Sequence, residues 1–379
     1  MISKAGLGRP LVFAALACRR LGGCRAPSEK VDRSTFRFVD RVGEPECRPR
    51  FDPERLSAML NWIVVGIGDI AIRRVIPAIQ AESRSQLYGV VTRDPDKAAG
   101  LHARVWSSLD EALADPAARA DAAHQAQAVY IATPVFLHAP QTIQSFRAGR
   151  HVLCEKPLAM NLAEARLMLQ ASNDAAKTLG VAYYRRFYPK LERARSLLAA
   201  GAIGKPVLAE LTCHSWLDGT ERERNWLIDP AKAGGGPLYD IASHRIDVLN
   251  YLFGQPLRVS GHLSNAVHHY DVEDNATVMI DYANGVRGIV DVRWHSKVGR
   301  DECRIRGTAG EMEMSPLNGP ELVYPGGREQ LPAHANLHYP MMENFVDAVL
   351  GKAPLVSSGD SAIWTDWVTE QAKRSIREF

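Results

Sequence analysis

From Trp62 onward the chain alternates between short apolar runs and segments whose apolar residues recur every three or four positions. Residues 63–65 read as a buried strand, and 70–82 as a helix with Ile72, Val75, Ile76 and Ile79 on one face. Further strands are expected at 87–91, 128–132 and His151–Cys154, with helices at 139–148 and 162–179. Asn161 suits the N-cap of the last helix and Gly180 its stop. The alanine-rich stretch 112–126 predicts another helix, carrying a short insertion. Strand and helix in alternation predict an α/β fold whose parallel sheet is covered on both faces.

After Gly201 the period changes. Residues 207–213 read as a strand, while 277–282 and 286–294 alternate around Asn284-Gly285, a hairpin signal. Shorter strands at 303–307 and 311–314 extend a large, mostly antiparallel open sheet on a second α/β domain. Helices at 341–350 and 360–377 close the chain. The expected division is 59–180, 181–335 and 336–379, with 1–58 as a poorly structured extension.

Composition narrows the class. An apolar fraction of 46% over 379 residues is enough for two cores. No run approaches the roughly 20 apolar residues that cross a bilayer. The formal charge of +3 is concentrated upstream: residues 1–58 hold twelve Lys/Arg against seven Asp/Glu, a surplus of five, which leaves −2 for the rest. A body of that sign lacks the basic footprint of nucleic-acid binding, so neither nucleic acid nor membrane is an expected partner. Six cysteines without a C-x-x-C pair fit a reduced, cytoplasmic protein with no metal site. The first 58 residues show no sustained period. Three readings stay open there: a signal peptide built on the short apolar run 11–17, a disordered arm, and, favoured, a natural start at Met59.

Three stretches carry candidate chemistry. Gly66-Ile-Gly-Asp-Ile-Ala71 follows a strand and opens a helix, the context of a dinucleotide turn. Gly66 allows the bend, Gly68 lets the backbone approach a pyrophosphate, and Asp69, Ile70 and Ala71 begin the helix. The second strand ends at Thr92-Arg93 with Lys97 beyond, where an NAD-preferring site usually places an acid. A hydroxyl and two cations favour NADP(H), although Asp94 and Asp96 keep NAD(H) possible. Glu155-Lys156-Pro157 stands at the carboxyl end of a parallel strand, where Lys156 can polarise a substrate oxygen. After Gly234-Gly-Gly236, Asp240, His244 and Asp247 share one helix face. An imidazole beside a carboxylate is a proton donor and acceptor near neutral pH.

Together these residues resemble the glucose–fructose oxidoreductase and inositol dehydrogenase (Gfo/Idh/MocA) family. Gly66-x-Gly-x-x-Ala71, Ala132-Thr-Pro134 with His138, Glu155-Lys-Pro157, Tyr184-Arg-Arg-Phe187, Trp226, Asp240 with His244, and Val272-Glu-Asp-Asn275 occur in the family's order. The resemblance runs from about residue 61 to the end. It implies an N-terminal Rossmann dinucleotide-binding domain and hydride transfer between a nicotinamide and a sugar, polyol or related carbonyl compound. It also implies a homodimer or homotetramer formed through the second-domain sheet. By position, Lys156 would polarise the substrate oxygen, His244 would be the general acid/base, and Asp240 would orient it or bind substrate. Thr133, His138 and Glu155 would line the cofactor cleft, and Arg186 and Trp226 would contact substrate. Val135, Ala242 and Tyr184 depart from the family pattern and bear on pocket shape. The region from Ser215 to Trp226, with Asp218, Arg222 and Arg224, is the expected selectivity segment. The competing reading is a nucleotide-binding sensor without turnover; retention of Lys156, Asp240 and His244 favours the enzyme. A methyltransferase has no use for Glu-Lys-Pro.

Overall fold

A computed structural model describes residues 59–116, 125–218 and 225–375. The expectations for 1–58, residues 117–124 of the helix expected over 112–126, and Arg222 and Arg224 lie outside the described residues; the described helix there is Leu109–Ala114.

Among the described residues six strands form the first sheet: β1 (Leu60–Val65), β2 (Ser85–Val91), β3 (Arg104–Trp106), β4 (Ala128–Ile131), β5 (His151–Cys154) and β6 (Leu179–Val181). All pairings are parallel, in the order β3-β2-β1-β4-β5-β6. β1 and β4 are buried at every position, as strands covered by helices on both faces must be. This order has its reversal between β1 and β4, so the carboxyl ends of those strands open the crevice in which such sheets bind ligands.

Two local expectations change. The helix 162–179 ends instead at Ala175, where Ala176 turns left-handed at φ 50°. Gly180 is not its stop but the middle of β6, paired with Leu153 of β5, and a Cβ there would meet the Phe345 ring at 2.8 Å. The helix after β1 begins at Asp69 and passes through a π-helical turn, Ala71–Val75, before Ile76–Ala81.

The second sheet holds eight described strands: β7 (Pro206–Trp216), β8 (Pro256–Ser264), β9 (Asn275–Tyr282), β10 (Arg287–Arg293), β11 (His295–Gly307), β12 (Glu311–Glu313), β13 (Glu321–Tyr324) and β14 (Gly327–Gln330). Its order is β14-β13-β12-β11-β7-β10-β9-β8, antiparallel except for β7 with β10. The β9–β10 hairpin turns at Gly285, whose φ of +87° suits glycine. Helices Pro189–Ala199 and Ser243–Phe253 cover one face through Leu191, Leu197, Ile246 and Leu249. On the strands, Val207, Leu257 and Met279 stay exposed.

The closing helices return to the first sheet. Phe345 of Tyr339–Val349 packs on Trp62, with ring centroids 5.3 Å apart. In Gly359–Arg374, the Asp366 carboxylate accepts from the Ala159 amide, and burial pushes its pKa up to about 8. Glu370 accepts from the Leu162 amide. A buried ion pair ties these parts together. The Arg186 Nε donates to both Asp247 oxygens at 3.0 and 3.1 Å, and Nη1 donates to Val356 O and Ser361 Oγ. Burial pushes the Asp247 carboxyl up while its charge draws Arg186 up; the two-pronged geometry favours the ionised pair. Asp247→Ala would strand the guanidinium, and a urea titration should show about 3–5 kcal/mol less stability; a loss under about 1 kcal/mol would contradict this account.

Candidate active site

The crevice is built from chain that must bend sharply. Gly66 sits at φ +89°, its amide donates to Val91 O, and a Cβ there would lie 2.8 Å from Ala132 O. Thr133 closes on the same spot: its Cγ2 would be 3.0 Å from that Cβ, and its hydroxyl donates to Gln141. A Cβ on Gly68 would meet open space, so the side on which a pyrophosphate would approach is clear. The helix begins at Asp69, with Ile70 already helical and the Ile72 amide donating to Gly68 O at 3.1 Å, so only the amides ahead of Ile72 could meet a ligand; Ala71 is fully buried beneath them. Asp69 turns outward to Arg73 at 2.6 Å. These residues fit a dinucleotide.

At the end of β2, Thr92 Oγ1 donates to Asp94 O and accepts from the Asp94 amide, which shapes a tight turn. Arg93 and Lys97 beside it are exposed, and neither side chain pairs with a described residue.

At the end of β5, the Lys156 Nζ donates to Asp240 Oδ1 and Asp240 O, both at 2.9 Å. This joins the first sheet to the π-helical turn Leu238–Ala242, which runs into Ser243–Phe253. Glu273, from the start of β9's approach, accepts from the Leu238 amide and steadies that turn. His244 lies one turn on, 6% exposed, between the rings of Tyr183 (6.0 Å) and Tyr184 (5.1 Å). Its Nδ1 is buried without a hydrogen-bond partner. Burial, then the charges of Arg185, Lys156, Arg245 and His338, hold its pKa well below 6.5. The expected carboxylate-held imidazole is therefore corrected: Asp240 is drawn to Lys156, Asp247 to Arg186, and the His244 ring is neutral.

Three other expectations move inward. Arg186 is 2% exposed, with its donors spent on Asp247, Val356 and Ser361, so it supports the site rather than touching substrate. His138 is buried, with Nδ1 on Pro157 O at 2.9 Å and Nε2 on Thr133 O at 2.8 Å. Burial lowers its pKa, so the neutral ring donates to one carbonyl at a time while bridging the two loops that form the crevice. Glu155 turns into the protein, accepting from Tyr130 at 2.7 Å and hydrogen-bonded to His338 Nε2 at 3.3 Å. Burial works against its charge, but His338, Tyr130 and Lys156 hold its carboxyl below the ordinary range. His338 and Tyr130 went unnoticed in the sequence because lone residues 183 and 25 positions from Glu155 form no spaced motif. Trp226, in the short turn Asn225–Ile228, is half-buried against Leu217, Leu227, Val272 and Trp294.

Sheet order, glycine turn and open helix start define a dinucleotide-binding α/β protein. A model of an oxidoreductase family with an NAD-binding Rossmann fold matches residues 60–183, and a GFO/IDH/MocA C-terminal domain matches 191–313. The chain belongs to the GFO/IDH/MocA family of oxidoreductases. It is 28% identical over 322 residues to 1,5-anhydro-D-fructose reductase of Ensifer adhaerens, spanning 81% of this chain and 93% of that protein. Trans-1,2-dihydrobenzene-1,2-diol dehydrogenase of Mus musculus is 29% identical over 283 residues, 72% and 80% of the two chains. The structure of GenD2 from gentamicin A biosynthesis, in complex with NAD, superposes with a TM-score of 0.74 at 27% identity over 90% of this chain and 97% of that one. No described helix is long and apolar enough to cross a membrane.

The folded pKa of His244 lies below 6.5, so as pH falls through that value the unfolded chain binds the proton first. The stability this residue contributes is present above that range and declines below it. Nitrogen NMR of labelled histidine should find His244 neutral at about pH 5.5, where an ordinary histidine is mostly charged; an imidazolium signal there would contradict the assignment.

Proposed function

We propose that the protein transfers a hydride between a nicotinamide dinucleotide and a CH–OH or carbonyl group of a sugar, polyol or related compound. The observation that carries this reading is the Lys156–Asp240 contact, which sets a cation from the parallel sheet beside the helix bearing His244. Gly66, Gly68 and the helix start would hold the pyrophosphate, and Thr133 would flank the nicotinamide half. When bound, the dinucleotide supplies the hydride chemistry. Lys156 donates to the substrate oxygen and favours its alkoxide form. His244, neutral, takes the hydroxyl proton through a ring nitrogen, while Asp240 keeps Lys156 in place. The names of the similar reductase and diol dehydrogenase support a polyol-like substrate.

NADP(H) is the favoured cofactor, with NAD(H) also accepted. Arg93 and Lys97, uncommitted beside Thr92, suit a 2′-phosphate, whereas the similar GenD2 structure holds NAD. The exposed apolar positions Val207, Leu257 and Met279 support a homodimer or homotetramer through the open sheet.

Fluorescence titration with NADPH and NADH tests both levels. The wild type should bind each, and Arg93→Ala should weaken NADPH by about tenfold or more while shifting NADH less than threefold, the loss of one charge-assisted contact. Equal losses would remove the phosphate assignment, and no binding of either dinucleotide would remove the oxidoreductase reading.

A further inference from the structure

The basic side chains around His244 are not equally paired. Lys156 has Asp240 at 2.9 Å, Arg245 has Asp301 at 3.0 Å, and Arg186 has Asp247. Among the described residues no carboxylate forms an ion pair with Arg185; the charge of Asp247 acts on it, but that carboxylate is committed to Arg186. Its Nε donates to the neutral Asn318 Oδ1 at 3.1 Å, its Nη1 is buried with no partner, and the residue is 6% exposed. A buried guanidinium without a counter-ion is costly, and a buried donor left open calls for an acceptor.

The position of this group matters. Arg185 Cζ lies 4.9 Å over the ring of Tyr184, and that ring meets His244 at 5.1 Å and His338 at 5.0 Å. Tyr184 is half-buried, and no described residue bonds its hydroxyl. Two unused donors thus flank the base. Among the charges that depress the His244 pKa, that of Arg185 is the largest, as expected of a near neighbour. Cofactor and Lys156 leave Arg185 without a task in the hydride step itself.

We propose that Tyr184 and Arg185 form an anion-recognising corner beside His244, so that the sugar-like substrate carries a carboxylate or phosphate group. This rests on the oxidoreductase reading above. A planar guanidinium offers two parallel donors to such a group, and the phenol adds a third. An ordered water filling the same place would satisfy Nη1 equally well but would confer no preference for acids.

D-Glucuronate, D-glucose 6-phosphate and D-glucose, each with NADP+ and NAD+, separate these outcomes. We expect one of the two anionic probes to exceed glucose at least tenfold in kcat/KM, or in its effect on the fluorescence of bound NADPH where turnover is slow. Whichever acid wins identifies the carboxylate or the phosphate. Arg185→Gln should erase that preference mainly through KM, Arg185→Lys should restore part of it, and Tyr184→Phe should reduce it less. NADPH affinity should stay within about twofold in both Arg185 variants, whose side chain meets Asn318 and Tyr184. Glucose equal to or better than both acids overturns the proposal, as does Arg185→Gln weakening all probes alike or neither acid being bound. Failure of the wild type to bind any dinucleotide overturns the underlying oxidoreductase reading, and this proposal with it.

Discussion

The geometry of the site depends on the buried pair of Arg186 and Asp247. Arg186 follows β6 of the parallel sheet, Asp247 lies on the helix that covers the second sheet, and the same guanidinium holds Val356 and Ser361 of the closing segment. Three separate stretches of chain therefore converge on one cation. Two charges taken out of water cost more than an apolar contact of that size, unless every donor and acceptor is used. Here the donors are used, and the return is orientation. His244 lies three residues before Asp247, so fixing one carboxylate fixes the imbedded ring and brings Asp240 within reach of Lys156.

Around that anchor the proposed cofactor side and the proposed proton-transfer side are built by different means. The proposed cofactor side is backbone: a left-handed Gly66 crowded against Ala132, and a Gly68 beside which the space is open. The proton-transfer side is side chains held by side chains, with Glu155 given to His338 and Tyr130, and Asp240 given to Lys156. Because its neighbours are cations and its surroundings are buried, His244 stays neutral. The same burial makes its protonated form scarce.

Much of this was legible in the sequence, for physical reasons. Covered parallel strands are continuous apolar runs, so β1, β4 and β5 stood out, and glycines at 66 and 68 could be placed because only a sharp turn after a strand needs them. Asn284-Gly285 announced its hairpin. What escaped depends on distant partners. Leu179–Val181 is too short to read as a strand and is completed by Phe345, far along the chain. Arg186, His138 and Glu155 looked like ligand contacts because polar residues in a motif draw attention, yet each is turned inward by a partner that spacing cannot show. The face shared by Asp240, His244 and Asp247 was legible, but not that each acid would be claimed by its own cation.

In the proposed reaction Lys156, held by Asp240, polarises the oxygen from which His244 takes the proton. Once a substrate is in hand, single-turnover measurement of the nicotinamide absorbance change in Lys156→Ala tests it most directly. The account predicts a fall in the hydride-transfer rate of about 100-fold or more with dinucleotide affinity nearly intact, the scale of losing an oxyanion donor. A rate within about threefold of the wild type would contradict it, since an interaction made in the transition state cannot be removed without a cost in rate.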